Sequence, residues 1–155
     1  MISRFFMVAV VALAPTIVPA TVASAKPFKA KLTGTAAPDF SGFPVVSNEE
    51  VGVGNATHLG KFLWEDDETA IFTSLTHAVV TATFTMTAAN GDKVFGTLST
   101  EGDIVAGTLL IHGTYEITGG TGRFANATGS GELDAVAEPG PPFGYSGTFT
   151  GTLNY

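Results

Sequence analysis

Residues 115–131, Tyr-Glu-Ile-Thr-Gly-Gly-Thr-Gly-Arg-Phe-Ala-Asn-Ala-Thr-Gly-Ser-Gly, decide the fold. An extended run ends at Ile117, three glycines (Gly119, Gly120 and Gly122) fall within four positions, and a second extended run begins at Arg123. Glycine reaches positive φ at no steric cost, so this cluster reverses the chain tightly and feeds a hairpin. These three glycines are read as a structural turn. Gly120–Ala125 formally fits a GxGxxA dinucleotide fingerprint, but that motif works only where a helix follows, and glycine, threonine and asparagine follow here.

The same pattern extends outward from the turn. From Lys26 onward no segment keeps a helical period, whereas alternation of apolar and polar residues recurs between glycine, proline and asparagine breaks. Phe28, Ala30 and Leu32 alternate with Lys29, Lys31 and Thr33, and residues 38–44 read as a loop. A second strand is expected over 56–65, with His58, Gly60, Phe62 and Trp64 inward. Glu65–Glu68 reads as a charged hairpin tip, with a shorter strand near Thr69–Thr73 beyond it. Val80, Ala82, Phe84, Met86 and Ala88 share one face of the next strand, and Asn90-Gly91 is a strong hairpin signal. Alternation resumes over 94–98, which Phe95 interrupts, then over 109–117, 132–135 and 143–154.

Seven or eight strands joined by short turns predict an all-β fold. A sandwich and a closed barrel both suit the pattern. Glycines on the inward faces (Gly60, Gly96, Gly113, Gly131, Gly147 and Gly151) favour a single closed antiparallel β-barrel of about eight strands, because glycine permits sharp strand bends.

Arg4, the apolar run Phe5–Ala14 and the small residues Ala23-Ser24-Ala25 match a secretory signal peptide over residues 1–25. The apolar run is shorter than the roughly 20 residues of a membrane span. The barrel domain is assigned to residues 26–155, and the protein is expected to be secreted, extracellular or periplasmic. Loss of Arg4 leaves six basic against fourteen acidic residues, a net charge of −8. Such a chain repels phosphate backbones and anionic lipid, so neither nucleic acid nor, after leader cleavage, a membrane is expected as partner. The absence of cysteine excludes disulfides and thiol chemistry.

Gly52–Trp64, Ala89–Asp92 and Tyr115–Gly131 together resemble bacterial secreted proteins with an allene-oxide-cyclase-type barrel. The plant dirigent proteins share that calycin-like superfamily and carry a similar GGTG-x-F turn, here Gly119–Phe124. The resemblance implies an eight-stranded barrel with an apolar lumen, in which the plant relatives steer a reactive lipid epoxide or a coupled phenolic radical. Some of them form trimers, which leaves a homo-oligomer open. No motif around their catalytic residues is visible, so no catalytic residue is carried over.

The candidate ligand-binding residues are the inward His58, Phe62, Trp64, Phe84, Met86, Tyr115, Tyr145 and Phe149. Aromatic rings with polar tips suit a pocket that orients an amphipathic ligand, and an eight-stranded barrel is just wide enough to hold one or to pack solid. His58 and Asp66 are the only inward ionisable groups expected. His112 falls on the outward face and His77 in a turn. Arg123, the only arginine after the leader, suits an anion clamp at the barrel mouth or a surface ion pair with Glu116. The acidic run 65–68 lacks the ligand spacing of a calcium loop, and neither a metal site nor a cofactor motif is found.

The expected function is the binding of a small apolar or amphipathic molecule, oxylipin-, fatty-acid- or phenolic-like, in the lumen. A cofactor-free cyclase or isomerase acting by confinement is the alternative. A third is a structural protein with a packed barrel that works through loops 37–50 and 137–142.

Overall fold

The computed structural model describes residues 24–138 and 140–155. Eight strands follow one another around a closed barrel: β1 (Lys26–Asp39), β2 (Val45–Ala56), β3 (Gly60–Phe72), β4 (His77–Ala88), β5 (Lys93–Val105), β6 (Thr108–Gly120), β7 (Thr128–Ala137) and β8 (Phe143–Asn154). Each is antiparallel to the next, and β8 closes on β1 through pairs such as Ala30 with Phe149. Closure leaves no strand edge unpaired. The expected closed barrel is present.

The meander sorts the connections onto two ends. The β1–β2, β3–β4, β5–β6 and β7–β8 turns surround one end, here the mouth. The other three turns meet the start of β1 and the end of β8 at the closed end.

Alternation holds through most strands. Along β4, Ala78, Val80, Ala82, Phe84, Met86 and Ala88 are buried, while Thr81 and Thr83 are exposed. The break in pattern at Phe95 coincides with a register shift between β5 and β6, where Gly96 faces Ile117 and Phe95 faces Gly119. The extra residue, Thr118, forms a bulge and keeps both flanking stretches in phase.

The aromatic residues fill the closed half. Trp64 stacks on Phe84 with ring centres 5.1 Å apart, and Phe149 stands edge-on to Phe84 and Tyr115. Phe28, Met86, Phe149 and Leu153 are fully buried. Phe62, Trp64, Phe84, Met86, Tyr115, Tyr145 and Phe149 all belong to this one core. Of the three glycines read as a turn, Gly119 and Gly120 instead end β6 and only Gly122 takes positive φ, 56°. No strand begins at Arg123, because the single 3-10 turn Gly122–Phe124 drops the fully buried Phe124 over the closed end before β7 starts at Thr128.

Two further segments differ from expectation. The strand expected over 56–65 is instead the end of β2, a turn at Thr57–Leu59 and the start of β3. His58 sits in that turn at φ 71°, and Gly60 is exposed there at φ 72° instead of facing inward. The Glu65–Glu68 run is no hairpin tip: it lies in the middle of β3, which continues without a break to Phe72. Four consecutive acids look like a solvated turn by composition, but in a strand every second one must point inward.

A packed interior makes its glycines sensitive to one added methyl. A Cβ on Gly131 would collide with the Thr150 carbonyl oxygen and lie 2.7 Å from the Gly151 Cα, whereas one on Gly144 would meet nothing within 4 Å. Gly131→Ala is expected to destabilise by about 1–3 kcal/mol and Gly144→Ala by less than about 0.5 kcal/mol. Urea denaturation of the two variants measures the difference.

Candidate functional site

At the mouth end, β2 and β3 bring acidic residues inside. Glu50 on β2 is the direct cross-strand partner of Asp66 on β3, and Asn48 is the partner of Glu68 two residues further on. Direct pairs on the same face stand close enough to interact, and like charges placed so repel. Asp66 is buried, and Glu50 and Glu68 are half-buried. Asn48 donates from Nδ2 to a Glu50 carboxylate oxygen at 3.0 Å.

These groups lie between two cavities. Below them a space of about 30 Å³ is lined by Trp64, Asp66, Leu98, Thr100, Tyr145 and Phe149. Above them the mouth opens into a cavity of about 220 Å³, walled by Phe40, Val46, Phe72, Leu109, Ala137 and Phe143 among others. Glu50, Glu68 and Ile111 line both. The lumen is therefore an apolar mouth, a carboxyl floor and a packed aromatic base.

Burial dominates the electrostatics of the floor. It raises the Asp66 carboxyl to about 9, with repulsion from Glu50 and Glu68 adding to the shift and the Trp64 indole opposing it. Burial raises Glu50 to about 8, reinforced by the charge of Glu68 and opposed by Asn48 and Tyr145. Glu68 is raised as well, again mainly by burial. The Tyr145 hydroxyl is driven far up by burial and by the neighbouring acids, and burial pushes Tyr115 up to about 12. At neutral pH the Glu50 and Asp66 carboxyls are held mostly protonated, which turns them into groups that also donate a hydrogen bond.

The floor is also incompletely bonded. Asn48 Oδ1, Asp66 Oδ1, Trp64 Nε1 and the Tyr145 hydroxyl are buried without a partner in ordinary hydrogen-bond geometry. Buried polar atoms of this kind are rare in folded proteins and call for an explanation.

Of the residues singled out in the sequence, Trp64 and Tyr145 reach the floor and Phe149 lies beneath it. Phe62, Phe84, Met86 and Tyr115 are packed in the core below, where Phe84 and Tyr115 both meet the ring of Phe149, and none of the four lines the mouth. His58 lies at the opposite end. Its Nε2 is 3.1 Å from the Pro27 carbonyl oxygen, its ring packs on Tyr155, and its own carbonyl accepts from Arg123 Nη2. Arg123 thus braces the closed end, 4.0 Å from Asp92, and clamps nothing at the mouth. His112 is exposed beside Asp134, and His77 begins β4 beside Asp103. Glu50 and Glu68 were not expected inside; with β3 unbroken, counting in twos from Trp64 finds Asp66 and Glu68, and the register to β2 then finds Glu50.

A wider open groove of about 950 Å³ crosses the outside between Lys31, His112 and Asp134. None of the buried unpartnered atoms among the described residues lines it. Among the described residues, no three His, Cys, Asp or Glu side chains are arranged to hold a metal ion. No protein-family model matches the chain, and no curated protein matches it significantly.

The raised carboxyls fix the sign of a stability change with pH. A folded-state value of about 8–9 against roughly 4 when unfolded means that folding favours the protonated form. The stability is fully present below pH 4 and is lost as pH rises toward 9, at up to roughly 1.4 kcal/mol per pH unit for each proton. Urea midpoints are expected to fall between pH 5 and 9, and the fall should be shallower in Asp66→Asn.

Proposed function

We propose that the protein binds a small apolar or amphipathic molecule in the mouth of its barrel. The apolar part of the ligand lies against Phe40, Phe72, Leu109 and Phe143, and its polar end rests on the floor formed by Asn48, Glu50, Asp66 and Glu68. One observation carries the reading: an apolar cavity of about 220 Å³ ends on Asn48, Glu50 and Glu68, and just beneath it, around a space of about 30 Å³, Asp66, Trp64 and Tyr145 carry buried polar atoms that, like Asn48 Oδ1, lack a partner of ordinary hydrogen-bond geometry among the described residues. Ligand sites combine apolar walls with a few convergent polar groups in this way.

Size narrows the class. An apolar cavity of about 150 Å³ holds benzene, so this one accommodates roughly six to ten non-hydrogen atoms. A phenol or a short alkyl chain fits, whereas a long fatty acid would leave most of its chain outside. Burial at about 25 cal/mol per Å² supplies the affinity, and the floor supplies orientation.

A second reading has Asp66 and Glu50 as its support. Carboxyls held protonated near neutral pH are poised general acids, which suits a cofactor-free cyclase or isomerase working by confinement. The packed closed half supports the third reading, a structural barrel, but gives no account of the unpartnered floor.

The proposal includes export. Support comes from β1, which begins at Lys26, directly after the small residues Ala23-Ser24-Ala25. N-terminal sequencing of the exported form is expected to start at Lys26.

Trp64, the only tryptophan, lines the space beneath the floor and reports on occupancy. Titration with phenol and hexan-1-ol is expected to give a saturable change in its fluorescence. Ala137→Phe, which fills the mouth, should weaken it at least tenfold. A flat response to both compounds refutes the binding reading.

A further inference from the structure

We propose that the polar end of the ligand is a primary ammonium group, so that the lumen selects short amines over alcohols and acids of the same length. This rests on the mouth-cavity reading above and adds the charge and hydrogen-bonding character of the ligand to it.

The first ground is a count of charges. Glu50, Asp66 and Glu68 converge on the floor, and among the described residues no lysine, arginine or histidine lines either cavity. Buried carboxyls in proteins are normally paired, and a cross-strand pair of acids such as Glu50 and Asp66 repels itself. Held protonated in the free protein, they ionise when a cation seated between them supplies the missing counter-charge. The apolar mouth excludes a strongly hydrated bare ion less readily satisfied there, but it accepts an ammonium that carries its own apolar tail.

The second ground is independent of charge. Asn48, Trp64 and Tyr145 are only 8%, 2% and 8% exposed, yet Asn48 Oδ1, Trp64 Nε1 and the Tyr145 hydroxyl make no hydrogen bond of ordinary geometry among the described residues, although the indole and the hydroxyl lie beside the Asp66 and Glu50 carboxyls. Asn48 Oδ1 and Asp66 Oδ1 are acceptors in need of donors. An ammonium offers three N–H donors and accepts nothing, which matches those acceptors and the Tyr145 oxygen. When it binds, Asp66 ionises and can accept from Trp64 Nε1 as well. A carboxylate ligand fails on both grounds, because it brings a negative charge to a site built of three acids and offers no donor.

The proton balance gives a distinct signature. The titratable groups facing the two cavities are Glu50, Asp66, Glu68, Tyr145 and, at the rim, Glu138. Below about pH 8 Glu50 and Asp66 are mostly protonated, so binding an ammonium between them expels a carboxylic proton to solvent. Affinity therefore rises with pH until the amine itself loses its proton near 10.

The test is calorimetric titration of the protein with hexylamine, hexan-1-ol and hexanoate at pH 7, in two buffers of different ionisation enthalpy. Hexylamine is expected to bind at least tenfold tighter than hexan-1-ol, hexanoate weakest of the three, with a proton released only by the amine. Asp66→Asn and Glu50→Gln keep side-chain volume and should abolish the preference for the amine while retaining hexan-1-ol binding. Asp67→Asn, on the exposed face of the same strand, should leave it intact and so separates the floor from the general negative field. Equal affinity for amine and alcohol, or tightest binding of hexanoate, overturns the ammonium and leaves the lumen site standing. Failure of all three compounds to bind overturns the site itself.

Discussion

Closing eight strands on themselves fixes an interior of limited width, and everything else in this protein follows from how that interior is filled. A barrel of about this size either packs solid or holds one small ligand. Here one end is packed solid and the other is left open as a cavity of about 220 Å³. Five interlocked rings, those of Phe28, Trp64, Phe84, Tyr115 and Phe149, occupy the closed half. They fit because glycines stand where their tips reach. A Cβ on Gly96 or Gly54 would strike the ring of Phe84 or Phe62, and one on Gly34 would lie 2.6 Å from the Tyr145 hydroxyl. Large residues and glycines are thus complementary across the lumen, and this exchange of volume sets the packing.

With the base filled, the remaining volume can open only toward the mouth, and the chain places its least soluble-in-oil residues at that boundary. Burying Glu50, Asp66 and Glu68 costs stability, which the neutral forms reduce but do not remove. Replacing buried charged groups by apolar ones of similar volume often stabilises a protein. A barrel that needed only to be stable would therefore do better with apolar residues at these positions. They stand above a solid aromatic base and beneath an apolar cavity, at the one level where the lumen changes from filled to open.

Much of this was legible in the sequence, and the parts that were not share a cause. Period-2 alternation is a reading of hydrophobicity, so it works where the inward face is apolar, as along β1, β4 and β8. It fails where the inward face is polar. The inward positions of β2 include Asn48, Glu50, Gly52 and Gly54, which carry no apolar signal, so the segment reads as loop. The same failure turned Glu65–Glu68 into a hairpin tip and shifted His58 from a turn onto a strand face. The residues missed, Glu50 and Glu68, are those whose polarity contradicts the pattern that defines the fold. Local conflicts of this kind are expected at functional sites. The GGTGRF turn was readable because its constraint is steric: Gly122 must take positive φ and has the Asp92 carboxylate pressed against it.

The position of the acids inside is not set by the acids. Slipping β3 by one residue would exchange Asp66 and Glu68 for Glu65 and Asp67, and the lumen would be as acidic as before. It would also turn Phe62 and Trp64 out into water and break the stack with Phe84, which the exposed Leu63 and Lys61 could not replace. A one-residue slip flips every side chain, so the strongly apolar residues hold the register for the rest. Trp64 therefore determines where Asp66 points, and through the Glu50–Asp66 pairing it aligns β2 as well. The packed base and the carboxyl floor are one construction: the aromatic residues that leave no room for a ligand are those that aim the polar groups at the place where there is room.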